Sequence, residues 1–455
     1  MSFKNFTKQL YFVLGKYGIL GIRGGSENMA KYSKKEKSWM MYDWATSAYS
    51  VVITTAIFPI YYKSVATNAG VDPSQSTAFL GYTISISTFI LAMLAPILGT
   101  IADYRGFKKK FFVFFFLLGT LSTVGLVFVP SDQWLLLLVM NLLTAIGARG
   151  ANIFYDAFIV DVTAKDKMDD VSSRGFALGY IGSSIPFVIS IGIIILAQTG
   201  IIPLSMTAAS RIAFFITAVW WIGFAIPLIK NVKQIYYVER EPKIIVNSFK
   251  RLGKTFKDIK QYRNIFLFLL AYFFYIDGVD TIISMSTAYG TDVGLSATDM
   301  IIALLAVQVV AAPFAILFGT LAKKYGTKIM LYVGIFIYTF ICVYAMFMDS
   351  AFDFWVLAML VATSQGGIQA LSRSFFAQMV PEEKSNEFFG FYNIYGRFAA
   401  VSGPFLMGVT TQITGSSSMG IFSLIILFII GFILLTFVQK PDLSSVNREE
   451  TDVSV

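Results

Sequence analysis

The sequence has no histidine and one cysteine, Cys342, in 455 residues. Without a second cysteine no intrachain disulfide can form and no thiolate cluster can hold a metal. Without histidine the usual catalytic triads and zinc sites are absent. A proton carrier must then be a carboxylate or, failing that, a tyrosine or lysine. Charge is scarce as well: 14% of residues are charged, against about 25% in ordinary soluble proteins. No glycine-rich phosphate loop occurs, so ATP does not drive the chain directly. The expectation is no cofactor, no metal and no enzyme.

What replaces charge is apolar length. The chain is 56% hydrophobic, with a mean hydropathy of +0.68. A helix needs roughly 20 apolar residues to cross a bilayer, and about twelve such stretches are present. They run over 39–62, 78–102, 109–129, 134–159, 175–198, 208–229, 264–288, 297–322, 328–348, 354–379, 387–411 and 417–438. The fifth is interrupted by Gly175, Gly179, Gly182 and Pro186, residues that membrane helices use for close approach and bending.

The net charge of +9 does not point to nucleic acid, because the cations fall on one side of the predicted topology. Lys31 to Lys37, Arg105 to Lys110, Lys165, Lys167, the cluster from Lys230 to Arg263, Lys323, Lys324, Lys328 and Lys384 share it. The opposite side carries mostly acids, among them Asp132, Asp292, Asp299 and Asp349. By the positive-inside rule both termini are cytoplasmic. Trp39, Trp134 and Trp355 fall at predicted boundaries, as interfacial indoles do. The expected organisation is a cytoplasmic extension over 1–38, a six-helix bundle over 39–230, a linker over 231–262, a second six-helix bundle over 263–438 and a cytoplasmic tail over 439–455. In the linker, Ile245, Phe249, Leu252, Phe256 and Ile259 share one helical face while lysines and an arginine fill the rest, which predicts a helix lying on anionic lipid.

One phrase occurs twice. Gly99-Thr-Ile-Ala-Asp-Tyr-Arg-Gly-Phe-Lys108 returns as Gly319-Thr-Leu-Ala-Lys-Lys-Tyr-Gly-Thr-Lys328, each copy between two apolar stretches, as in transporters built from duplicated bundles. Gly106 and Gly326 suit the left-handed conformation found at helix ends. Asp103 opposes the dipole of the helix it follows, so it should meet a cation or the N-terminus of another helix, as a latch between bundles would. The second copy has Lys323 where the first has an acid-bearing pattern.

The phrase resembles the cytoplasmic loop signature of the major facilitator superfamily. Tyr42-Asp-Trp-Ala-Thr-Ser-Ala-Tyr49, Ser172-Ser-Arg-Gly-Phe-Ala-Leu-Gly-Tyr180 and Gly366-Gly-Ile-Gln-Ala-Leu-Ser-Arg-Ser374 resemble the unknown major facilitator (UMF) family, which includes the autophagy-linked vacuolar amino-acid effluxers of fungi. The resemblance spans roughly residues 39–438. It implies an all-α membrane protein with twelve transmembrane helices in two six-helix bundles, and amino-acid efflux as the activity. Thr46, Asp156 and Asp280 depart from the residues usual in that family.

Ionisable groups inside the hydrocarbon cost roughly 2.5–3.5 kcal/mol each and mark function by default. The first, fourth, seventh and tenth stretches each carry a polar stripe, and in the superfamily these helices line the central cavity. Arg149, Asp277, Gln365 and Arg397 fall near mid-membrane by helical rise. Arg149 and Asp277 are therefore candidates to hold the two ends of a zwitterion, with Asp280, Gln365, Gln369 and Arg397 beside them. Asp277 is also the candidate coupling acid, because Asp280 lies one turn away. Asp43, Asp156 and Arg373, with Asp103, are candidates for a gate or for pairs tying the bundles together. Asp166, Asp169 and Asp170 read as a solvated turn. The expectation is a monomeric secondary transporter in a bacterial cell membrane. It moves a small organic solute by alternating access, coupled to protons and surrounded by lipid. The alternative on the same fold is an exporter of lipids or amphipathic compounds, which needs a wider, more apolar cavity; a membrane-embedded enzyme is the alternative of another class.

Overall fold

The computed structural model describes residues 32–257, 261–292, 297–347 and 350–439. The rest of the N-terminal extension and the tail after Gln439 lie outside the described residues. The described chain is helical apart from one isolated β-bridge between Tyr104 and Val238.

The first helix, α1 (Lys34–Ala48), starts ahead of the apolar stretch because Ser33 and Glu36 form a capping box, which satisfies two free N–H groups at once. It runs into a π-helical segment, Tyr49–Ala56, and then α2 (Ile57–Asn68). Next come α3 (Pro73–Ala102), α4 (Phe107–Phe128), α5 (Trp134–Ala157), α6 (Met168–Gln198) and α7 (Met206–Asn231). The linker helix is α8 (Ile244–Lys257). The second half has α9 (Arg263–Asp292), α10 (Ala297–Tyr325), α11 (Thr327–Ala345), α12 (Ala351–Met379), α13 (Ser385–Thr414), α14 (Ser417–Ser423) and α15 (Ile425–Phe437).

Ten of these helical segments are long and apolar enough to cross a membrane. The segment Lys34–Asn68 and α13 are expected spans that do not join them. The π-helical stretch divides the first into pieces of 15 and 12 residues, and the side chains of residues 397–401 within α13 lie outside the description. Helix α6 begins at Met168 rather than 175, because Asp169, Asp170 and Arg174 are paired and let the helix continue. The last expected span divides at Leu424 into α14 and α15.

Within the first half α4 packs on α5, and α1 on α6 and α7; within the second, α9 packs on α13 and α15, and α10 on α12. The halves meet where α3 lies against α13 and α6 against α10 and α12. The loops bearing most cations, including Arg105, Lys165 and Lys384, gather at one end of the molecule, here the basic end. One indole is corrected: Trp39 is fully buried and donates to the Tyr155 carbonyl at 2.9 Å, so it packs inside the bundle rather than at a lipid boundary.

The linker returns over the first copy of the repeated phrase. Arg105 N–H donates to Val238 at 3.0 Å and Val238 N–H to Asp103 at 2.9 Å, while the Gln234 side chain accepts from Gly106 N–H at 2.9 Å. Helix α8 then packs along α3. Ile245 and Phe249 of its expected apolar stripe are exposed and Leu252 is half-buried; Ile259 and the Phe256 side chain lie outside the description.

Candidate functional site

Four helices, α1, α5, α6 and α12, bring a buried polar cluster together at the interface of the halves. Arg373, on α12, is almost wholly buried and forks toward the first half. One guanidinium nitrogen lies 3.0 Å from Asp43 and another 3.3 Å from Asp156, and Nε donates to the Ser172 hydroxyl at 3.0 Å. The guanidinium sits 4.5 Å from the centres of both the Trp39 and Phe176 rings, a geometry that adds cation–π attraction in a dry setting. Ser172 in turn donates to the Ala370 carbonyl at 2.8 Å. The sequence candidates Asp43, Asp156 and Arg373 are thus in direct contact.

Each copy of the repeated phrase crosses to the opposite half. Gly99 lies so close to α13 that a Cβ there would sit 2.4 Å from the Asn386 carbonyl oxygen. Asp103 caps the start of α13: it accepts from Asn386 N–H at 2.9 Å, from the Asn386 amide at 2.9 Å and from Glu387 N–H at 3.3 Å. A helix N-terminus favours a carboxylate there. Arg251 of α8 adds a cation 3.6 Å from Asp103 and 3.9 Å from Glu387. Burial, and then the Glu387 charge, nonetheless push the Asp103 carboxyl up to about 7 against the pull of Asn386, Arg251 and Lys108. Asp103 therefore meets both kinds of partner that its place in the sequence demands. Gly106 takes the expected left-handed conformation, with φ 81° and ψ 2°, whereas Gly326 has a positive φ of 96° with an extended ψ of 142° and so departs from it.

In the second copy Gly319 touches α6, where a Cβ would sit 2.5 Å from the Ser173 hydroxyl. The acid comes from the other side. Asp169, on α6, accepts from Thr327 at 2.5 Å, from Ser374 at 2.5 Å and from Gln378 at 3.1 Å. The solvated-turn reading of Asp169 is therefore overturned. Its acidic neighbours in the sequence disguised it; the signal that could have found it is its place in the first turn of α6, matching Asn386 and Glu387 in α13. Lys108 was also read only as a topology-setting cation. It is fully buried, 2.6 Å from Asp161 and 3.1 Å from the Ser385 hydroxyl.

One turn beyond Arg373, away from the basic end, a cavity of ≈ 350 Å³ opens between the halves. Gln365 and Gln369 line it, with Tyr180, Ser183, Gln308 and Ser47, among a majority of apolar side chains such as Phe176, Ile282, Leu357 and Met407. The π-helical segment contributes Ser50, Val51, Thr55 and Ala56, in keeping with the placement of such segments at functional sites. Among the described residues, no lining residue is charged.

Arg149 and Asp277 do not line this cavity, so the acid and base expected to hold a zwitterion are not brought together around it. Arg149 turns to α3, donating to the hydroxyls of Ser87 at 2.9 Å and Thr88 at 2.8 Å. Asp277 is fully buried against α13, accepting from the Ser402 hydroxyl and, at 2.8 Å, from Gly403 N–H. Helical spacing put each on a polar face, and the bonds named here stay within its own half, although Arg149 also borders a small gap lined by Asn393 and Ile394 of α13. Asp280 is half-buried one turn along α9 and is not a lining residue. The side chain of Arg397 lies outside the described residues.

A family model described as "Vacuole effluxer Atg22 like" matches residues 32–443. The MFS-type transporter YxiO of Bacillus subtilis strain 168 is 61% identical over 425 residues, covering 93% of this chain and 99% of YxiO. Autophagy-related protein 22 of Saccharomyces cerevisiae strain S288c is 22% identical, over 84% of this chain and 81% of its own. Among solved structures, the proton:xylose symporter XylE superposes with a TM-score of 0.70 at 12% identity, covering 90% of this chain and 96% of XylE. The chain belongs to the Atg22-like vacuole effluxer family and has the fold of the major facilitator superfamily.

Proposed function

From this membership we propose that the chain carries a small organic solute across a membrane by alternating access, with the cavity between its halves as the solute site. The observation that carries the reading is the position of that cavity. It lies between two halves tied together at the basic end by Arg373, Asp103 and Asp169, and it sits beyond those ties. Alternating access needs such a site, with closures that can be made and broken on either side of it. Positive-inside reasoning makes the basic end cytoplasmic, together with both termini, so the arrangement is the outward-facing one. On this reading the segment Lys34–Asn68 and α13 complete twelve spans in a bacterial cell membrane.

The lining narrows the solute. Charged groups are costly to bury without partners, and the described lining offers amides and hydroxyls in place of charges. The glutamine amides each donate and accept, which lets them serve both ends of an amino acid while the apolar wall takes its side chain. Amino acids with large apolar side chains are thus the part of the class implied by the family that the cavity suits. The same apolar lining favours a second reading, the amphipathic compound.

Proton coupling falls to Asp277, a buried acid whose bonds to Ser402 and Gly403 join α9 to α13. Protonation would turn one carboxyl oxygen into a donor, weaken the charge-assisted bonds it accepts and loosen that join. XylE, a proton symporter on the same fold, supports the assignment by analogy alone. The test is purified protein in liposomes under an imposed pH gradient, offered labelled apolar amino acids, polar amino acids and amphipathic dyes. Gradient-driven uptake of the apolar amino acids is expected. Movement of dyes with no amino acid would transfer the reading to amphipathic export, and movement of nothing would overturn it.

A further inference from the structure

Helix α8 carries three stripes that have to be explained together. Ser248, Arg251, Leu252 and Thr255 face the protein, Ile245 and Phe249 are exposed, and Lys250, Lys254 and Lys257 flank them on the far side. The protein-facing stripe is poor glue. The buried hydroxyls of Ser248 and Thr255 have no hydrogen-bond partner among the described residues, and Leu252 is only half-buried. What the protein side does gain from α8 is Arg251, which reaches Asp103 at 3.6 Å and Glu387 at 3.9 Å and lies 5.2 Å from the Tyr104 ring centre.

Those two carboxylates belong to opposite halves and both are fully buried. Neither oxygen of Glu387 has a hydrogen-bond donor. Arg251 is the cation paired with them among the described residues, so this closure depends on where α8 lies. The outer faces of α8 state what holds it there: exposed apolar side chains beside a row of lysines match the boundary between acyl chains and anionic headgroups. A soluble acidic protein would answer the lysines but leave Ile245 and Phe249 in water.

We propose that α8 is seated on an anionic lipid leaflet, and that this seating holds Arg251 between Asp103 and Glu387, so that anionic lipid favours closure of the basic end. The inference goes beyond the transport reading and holds whichever solute the cavity takes. Full-length protein in phosphatidylcholine nanodiscs, with and without phosphatidylglycerol, tests it through hydrogen exchange of the peptides covering 99–104 and 385–393. Phosphatidylglycerol is expected to slow their exchange by roughly fivefold, the factor set by one lysine held at an anionic surface. The triple variant Lys250→Gln, Lys254→Gln, Lys257→Gln and the double variant Ile245→Ser, Phe249→Ser should lose that response. Arg251→Gln should keep α8 on the lipid, read by quenching from a brominated acyl chain, yet lose the protection.

Equal exchange in both lipids for the unaltered protein would overturn the proposal, as would a lipid response that survives Arg251→Gln. Liposome uptake measured alongside separates the two readings. Transport without a lipid response sinks this inference alone, and a lipid response without transport sinks only the transport reading.

Discussion

Arg373 and Asp43 stand 3.0 Å apart across the interface of the two halves, although 330 residues separate them in the chain. The pair is dry, ring-lined and shared with Asp156. Removing one partner from a buried pair leaves a charge that nothing offsets, at a cost of about 3–5 kcal/mol. Arg373→Ala is accordingly expected to lower the thermal unfolding midpoint in detergent and abolish uptake. Arg373→Lys should recover little of either, because an ammonium cannot fork to two carboxylates and stack between rings. Full recovery by lysine would show that position 373 contributes charge alone.

Gly99 predicts a second outcome. A side chain there meets the backbone of Asn386, with the nearest carbonyl oxygen at 2.4 Å, and backbone cannot swing aside. Gly99→Val should hold α3 and α13 apart and speed hydrogen exchange in residues 385–393. Gly319→Ala meets the Ser173 hydroxyl at 2.5 Å and its Cβ at 2.6 Å, with the nearest backbone, the Asp169 carbonyl oxygen, at 3.1 Å, so α6 must also give way but by less than α13 does. Equal exchange for Gly99→Val and the unaltered chain would mean that α13 shifts without loss.

Closure at the basic end should depend on pH. Asp103 is pushed from 3.8 up to about 7 when buried beside Glu387, with Arg251, Lys108 and Asn386 pulling the other way. In an opened arrangement it is solvated and titrates in the usual carboxylate range. The buried arrangement therefore binds a proton more tightly. Its advantage is complete below pH ~4, falls as the pH rises and is gone above about 7. Exchange in residues 385–393 should accordingly quicken, after correction for intrinsic rates, from acid to neutral pH, and Asp103→Asn should flatten the profile. An unaltered profile in that variant assigns the pH response elsewhere.

In the cavity, Gln365→Leu and Gln369→Leu each remove a donor and an acceptor without changing charge. If each amide makes one hydrogen bond with the solute, worth about 1 kcal/mol, half-saturation should rise roughly fivefold per substitution with the maximal rate little changed. A fall in rate at constant half-saturation would place these amides in the conformational step instead.

Asp277→Asn keeps much of the shape of the Ser402 and Gly403 contacts but cannot lose or gain a proton. Accumulation driven by a pH gradient should disappear while solute exchange persists. Gradient-driven accumulation equal to that of the unaltered chain would remove Asp277 as the coupling acid.

Hydropathy placed most of the helices to within a few residues, because a long apolar run has no other stable arrangement in a bilayer. It also singled out Asp43, Asp156 and Arg373, since acids and bases that deep must find one another. What it missed shares a cause. Arg149 and Asp277 lie on polar faces as spacing requires, but spacing does not say which neighbour a face meets, and here they bond to Ser87 and Thr88 and to Gly403 rather than line the larger cavity. Asp169 and Lys108 sit beside other charges at helix ends, where a sequence reads solvation and the fold built buried bonds.

The pairing of Tyr104 with Val238 has a consequence for biosynthesis. Because the strand-like return over the first repeated loop uses only residues before α8, the first half carries its own cover. A ribosome that has released the chain as far as Arg240 has already supplied Gln234, Val238 and Arg240, the linker groups bonded to that loop, before the α8 and α13 partners of Asp103 emerge. A break after Arg240 would therefore leave the linker's cover on the first fragment, with Asp103 still waiting for Arg251, Asn386 and Glu387 from the second. A break ahead of Gln234 would hand the cover to the wrong piece.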